Sequence, residues 1–285
     1  MRKHRWAAPA RRPLRGVRAA LSIVPALGIL ALLVAPARAG VCGDDVDGKR
    51  VACSCGDIVV SDVRLRVDDP VVSGRCPHDG LIVRAAVTTD SIDIDLAGQV
   101  LAGSGHGYGI LVERGGTDGA AIVSTTSGKQ ARPGEIVGFG TGIFSPMSEG
   151  VRRIENVNAT ANARDGVRLN ARGAILLDLK TNRNGRTGLA LRGRGGRVVG
   201  LESNDNGNAG ARIMSQGTIV SGSAARNERH GIVLGGASND ISGFSALENR
   251  GVGVAVHGAR HTIDGLRSEL NVKSDVQGTV MRNAR

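Results

Sequence analysis

Arginines are the residues in this chain best suited to chemistry. Between positions 160 and 200 stand nine basic side chains: Arg164, Arg168, Arg172, Lys180, Arg183, Arg186, Arg192, Arg194 and Arg197. Only Asp165 and Asp178 oppose them. A guanidinium presents a planar fork of N–H donors that meets a carboxylate or sulfate through two bonds at once. The band therefore reads as an anion-binding surface suited to uronate or sulfate groups, with Arg164, Arg168, Arg186, Arg192 and Arg212 as the residues that carry it. The competing reading is that these are solvated turn residues. Residues 40–110 lean the other way, with six basic and eleven acidic side chains.

Other reactive groups are sparser. Asp90, Asp93 and Asp95 are read as lining one strand face, where they either bind calcium or are solvated carboxylates. Asp44-Asp45-Val46-Asp47-Gly48 lacks the remaining ligands of a calcium loop. His230, His257 and His261 fall at different points of the repeat described below, so no metal site is expected from them. No cofactor is expected, and no catalytic residue is assigned. Cys42, Cys53, Cys55 and Cys76 are the only cysteines and lie within 35 residues. In an oxidising compartment they would form two bridges that tie Cys42 and Cys76 to the central pair, because bonding Cys53 to Cys55 would strain a very small ring. Zinc is the alternative for four thiols, but the spacing matches a zinc site poorly.

A fixed period positions these groups. The segments Gly109-Ile-Leu-Val, Gly142-Ile-Phe-Ser, Gly166-Val-Arg-Leu, Gly188-Leu-Ala-Leu, Gly210-Ala-Arg-Ile, Gly231-Ile-Val-Leu and Gly253-Val-Ala-Val recur mostly every 21–24 residues. Asn162, Asn184, Asn206, Asn227 and Asn249 each stand four residues before such a glycine, and Asn271 continues the column. Short apolar pairs broken by Gly, Asn and Ser do not follow the helical period. They predict stacked coils of two or three short strands, an all-β right-handed parallel β-helix of seven or eight coils over residues 81–285. Alternation sends Val167, Leu169, Ile232 and Leu234 inward and Arg168 and Val233 outward. The repeat glycine is expected to permit a corner of positive φ, and the asparagines to stack as amide ladders.

These repeats resemble the parallel β-helix repeats of the pectin-lyase-like superfamily. The segment Ile94-Asp95-Leu96-Ala97-Gly98-Gln99-Val100-Leu101 is similar to one common near the start of such domains, which makes Asp95 a structural turn residue. The resemblance implies polysaccharide lyases, glycosidases and uronate epimerases that work on the outer face of one sheet, several of them with stacked aspartates. The outward column here reads Leu111, Phe144, Arg168, Ala190, Arg212, Val233, Ala255, with no carboxylate. The next reads Glu113, Pro146, Asn170, Arg192, Met214, Gly235, His257. No carboxylate pair at glycosidase separation is evident. Pro77-His78-Asp79-Gly80 is similar to an element of alginate epimerases, but sits outside the expected repeat register.

The N-terminus is read as an export signal. Met1–Arg18 is basic, Ala19–Ala35 is apolar, and Ala37-Arg38-Ala39 supplies small residues for cleavage after Ala39. The expected organisation is thus signal peptide 1–39, a cysteine-bearing cap 40–80, and β-helix 81–285. The formal charge of +11 owes eight of its basic residues to that signal. The remainder is nearly balanced, which argues against nucleic-acid binding. The expectation is a secreted or cell-envelope protein that contacts acidic polysaccharide without a recognisable catalytic site and has no membrane association after cleavage. The alternatives are a polysaccharide lyase or uronate epimerase with an arginine-centred site, and a structural solenoid that docks another protein. Oligomeric state is left open.

Overall fold

A period near 22 residues returns equivalent side chains to one place once per coil, and the structure shows what they do there. The computed structural model describes residues 39–125 and 132–278; the expected signal peptide lies outside the described residues except for Ala39. The chain winds as an all-β parallel solenoid of about 10 turns. A first sheet takes one short strand per coil, running through Tyr108–Arg114, Thr141–Ser145, Val167–Arg172, Leu189–Arg194, Ala211–Gln216, Ile232–Ala237 and Val252–Val256. A second sheet takes longer strands, among them Val151–Thr160, Ile175–Lys180, Arg197–Glu202, Ile219–Ala225 and Asp240–Leu247. The turn count exceeds seven or eight because Val41–Val46 and Asp57–Val59 already pair in parallel with the first sheet.

Register follows the expected columns. Arg168 pairs with Ala190, Ala190 with Arg212, Arg212 with Val233, and Val233 with Ala255. Between them Val167, Leu169, Leu189, Ile213, Ile232 and Leu234 are buried in aliphatic layers. Buried apolar area contributes about 25 cal/mol per Å², and these stacked layers are its source here.

The asparagine column forms a continuous buried ladder. Asn162 Nδ2 donates to Asn184 Oδ1 (3.2 Å), Asn184 to Asn206 (3.1 Å), Asn206 to Asn227 (3.0 Å), Asn227 to Asn249 (2.9 Å) and Asn249 to Asn271 (2.9 Å). Each of these Oδ1 atoms also accepts the backbone N–H of the preceding asparagine, as in Asn184 N to Asn206 Oδ1 at 2.9 Å. The residue just before each ladder asparagine is left-handed: Ala161, Arg183, Asp205, Arg226, Glu248 and Leu270 have φ of 52–59°. That conformation costs about 1–2 kcal/mol for an L-residue.

The repeat glycines play a different part from the expected one. None of Gly109, Gly142, Gly166, Gly188, Gly210, Gly231 or Gly253 has positive φ. They are required by close approach. A Cβ on Gly210 would lie 2.7 Å from the carbonyl oxygen of Gly231 and 2.8 Å from Nδ2 of Asn227. Gly80 belongs to the same column, its would-be Cβ pointing at the Gly109 carbonyl, so Pro77-His78-Asp79-Gly80 lies in register rather than outside it.

The N-terminal coils are tied by Cys42–Cys53 and Cys55–Cys76, with Cα separations of 5.1 and 5.4 Å. Fully buried Asp69 takes two bonds from Arg50 Nη2 (2.8 and 2.7 Å) and accepts the N–H groups of Cys53 and Arg66. The hairpin Val41–Val46 with Lys49–Val51 puts an antiparallel, basic strand at the sheet edge, which deters further pairing.

Two outcomes follow from these contacts. Asn206→Ala strands the Asn184 backbone N–H in the interior and takes one of two partners from Asn184 Nδ2 and from Asn227 Oδ1, and it should cost about 1–3 kcal/mol in a urea titration. A loss under 1 kcal/mol would show that the ladder is dispensable. Cys55→Ala with Cys76→Ala should lower stability by about 2–4 kcal/mol and leave the strand signal in circular dichroism intact.

Candidate anion-binding site

Outward positions on the first sheet carry the candidate site. Alternation places Arg168 and Arg212 two coils apart in one column, with Arg192 in the neighbouring column beside Asn170 and Met214. Coils repeat at about 4.8 Å, so the two column arginines stand roughly 10 Å apart at the backbone. Arg186 enters from the preceding turn. Its N–H donates to the Arg164 carbonyl at 2.8 Å, and Asn208 and Arg229 continue that ladder at 2.8 and 2.9 Å. Arg168, Arg186, Arg192 and Arg212 line one groove of about 300 Å³ together with Phe144, Asp165, Ala190 and Met214. Arg164, the fifth expected residue, stacks next to Arg186 but does not line the groove.

All five guanidinium groups are exposed, and among the described residues none has a carboxylate within ion-pair distance. Basic residues elsewhere divide: Arg84 pairs with Glu113, Arg152 with Asp93, Lys180 with Glu202, Arg226 with Asp205 and Arg250 with Glu228, whereas Arg66, Arg75, Arg114, Arg183 and Arg197 have no carboxylate within that distance among the described residues. The basic band of the sequence therefore divides. Lys180 and Arg197 go to the second sheet, while Arg168, Arg172, Arg192 and Arg194 go to the first. Arg168 lies over the Phe144 ring, 5.7 Å from its centroid, and Phe144 stacks on Tyr108 at 4.9 Å. Such a contact holds a guanidinium out of random motion without neutralising it.

Two groups escaped the sequence reading. Phe144 precedes Arg168 in the outward column, where the sequence alone assigns it no role; the structure sets its ring under the guanidinium. Asp165 looked like a mere counter-charge. It is buried, lines the groove, and its Oδ1 accepts the Thr187 N–H at 3.1 Å. A signal existed, since Asp79, Asp165 and His230 all stand just before a column glycine. Asp79 accepts the Tyr108 N–H (2.7 Å) and His230 Nδ1 that of Val252 (3.2 Å).

The other acidic candidates are committed elsewhere. Asp93 pairs with Arg152 and Asp95 with Arg64, while Asp95 also accepts the Ala97 N–H (2.9 Å), the turn role expected of it. Among the described residues no cluster of three or more His, Cys, Asp or Glu side chains is placed to hold a metal ion, and no helix is long and apolar enough to cross a membrane. Compared with known protein families, curated proteins and solved structures, the chain matches none.

Burial pushes the His230 imidazole below its ordinary range, and Lys273 and Arg229 add to the effect. A depressed histidine resists a proton in the folded state that the unfolded chain accepts near pH 6.5. Stability is therefore unaffected above that value and is lost as pH falls below it. Glu228, Arg250 and Lys273 line the same hollow as His230. His230→Gln should flatten the decline in urea midpoint between about pH 7 and 5; an unchanged decline would assign it to carboxylates alone.

Proposed function

We propose that this chain is an exported β-solenoid that binds acidic polysaccharide, of the uronate class, through the arginine groove of its first sheet. One observation carries the reading. Arg168, Arg186, Arg192 and Arg212 converge on one groove, and among the described residues none of them has a carboxylate within ion-pair distance. Like charges held side by side by backbone stacking repel one another, and an anion relieves that repulsion. A parallel sheet repeats its side chains at about 4.8 Å, so a polymer lying along the coils meets successive guanidinium groups.

Export is supported by the basic and apolar residues 1–39 and by two disulfides, which persist in oxidising compartments. Parallel coils and the Ile94–Leu101 segment support kinship with the pectin-lyase-like superfamily.

The test is retention of the purified protein on immobilised polygalacturonate. Arg168→Ala with Arg186→Ala should weaken binding about tenfold or more, since hydrogen bonds to charged groups contribute about 1.5–3 kcal/mol. Both residues are exposed, so stability should stay within about 0.5 kcal/mol of the parent. Parent binding should fade above about 0.1 M salt, where exposed charges are screened over some 10 Å. A parent that ignores the polymer at low salt, or a double variant that binds equally well, defeats the reading. Release of unsaturated product in the same assay would make the protein a lyase rather than a binder.

A further inference from the structure

The groove holds one acidic side chain among four basic ones, and its placement has consequences for what can bind. Asp165 is 4% exposed. Its Oδ1 is committed to the Thr187 N–H, and among the described residues no other hydrogen-bond or ion-pair partner reaches the carboxylate, although Arg168, Arg186, Arg192 and Arg212 line the same groove. Oδ2 has no partner among the described residues, and Asp165 lines the groove. A carboxylate is an acceptor with several lone-pair sites. One that is nearly buried and half satisfied invites a donor.

We infer that Asp165 is a specificity-determining residue that accepts a hydroxyl of the ligand, so the groove selects a carboxylate flanked by hydroxyl groups over a bare anion. This rests on the polysaccharide reading above. The arginines attract any anion, but a ligand with acceptors alone brings its charge against Asp165, and like charges across a partly dry groove are costly. A ligand that carries an O–H beside its carboxylate gives the guanidinium groups their anion and gives Oδ2 its donor. A sugar acid has both features within one ring. A sulfate ion or an ionised acidic peptide side chain lacks the hydroxyl. Discrimination of this kind is strong because the wrong ligand leaves a buried acceptor unpaired.

Local structure explains why an acid is tolerated here. Position 165 stands just before the repeat glycine, where the neighbouring coils carry Thr141 and Thr187. The Asp165 side chain bonds the backbone of the next coil, as Asp79 does for Tyr108. Thus Asp165→Asn keeps an oxygen for the Thr187 N–H, and Asp165→Thr copies both neighbours, which guards against a variant that fails to fold.

The experiment compares two fluorescent oligomers of equal length and charge, oligogalacturonate and oligoglutamate, by anisotropy at low salt, for the parent, Asp165→Asn and Asp165→Thr. The parent should prefer the uronate by about tenfold or more. Both variants should bring that ratio toward one, mainly by binding oligoglutamate more tightly. A parent that binds both oligomers equally, or variants that keep the parent's ratio, would reduce Asp165 to a backbone cap and leave the polysaccharide reading standing. A parent that binds neither oligomer, or only oligoglutamate, removes both.

Discussion

The constraint on which the rest of this structure depends is that each coil must meet the next at the asparagine turn. Six asparagines from Asn162 to Asn271 form one ladder, and their side chains also satisfy backbone N–H groups that would otherwise be orphaned inside the turn. Two other columns exist because of it. The residue before each asparagine turns left-handed to aim the amide along the axis. The glycine four residues after it has no side chain because the next coil's backbone carbonyl and, at Gly166, Gly210, Gly231 and Gly253, the next coil's asparagine amide fill that space; at Gly188 the Ser203 and Thr181 hydroxyls do so. Both costs are local and recur in each coil, and the ladder offsets them in each coil.

That regularity explains the charge distribution on the surface. A stack cannot spread its side chains apart, since strand spacing fixes them. On the second sheet and in several turns, opposite charges occupy neighbouring coils, as in Lys180 with Glu202 and Arg250 with Glu228. On the first sheet, Ala190 separates Arg168 from Arg212, and Phe144 backs the first of these. Spacing and an aromatic support thus stand where counter-charges stand elsewhere. Exposed pairs contribute little to stability, so their absence here costs the fold little and leaves the surface positively charged.

Much of the fold was legible because its signals were periodic. Glycine, asparagine and aliphatic columns at one spacing predicted the coils, the inward faces of Val167 and Leu169, and the amide ladder. The physical reason for the glycines was misjudged, because a sequence reveals that a side chain is missing and does not reveal whether a dihedral angle or a neighbour forbids it. The register of Gly80 was missed because the loops around it depart from the 22-residue spacing. At the candidate site the arginines were visible as a band, but their division between two faces was not, because it depends on where each strand begins. Asp165 illustrates the limit best. Its charge could be read in the chain, while its burial depends on Thr187 of the following coil.

The amide ladder also has a direction. Every rung donates from Nδ2 toward the C-terminal neighbour, so the side-chain dipoles add along the axis instead of cancelling. Aligned hydrogen bonds polarise one another, and partial charge collects at the two ends of the row. The acceptor end lies at Asn162, whose Oδ1 takes the Phe139 N–H (3.0 Å). The donor end lies at Asn271, and there Nδ2 meets the carboxylate of Asp275 at 2.9 Å. An acid at the positive pole of a row of amides is the arrangement that α-helices use at their N-termini. This solenoid has almost no helix, yet it carries the electrostatic counterpart of a helix dipole, built from side chains and running the length of six coils.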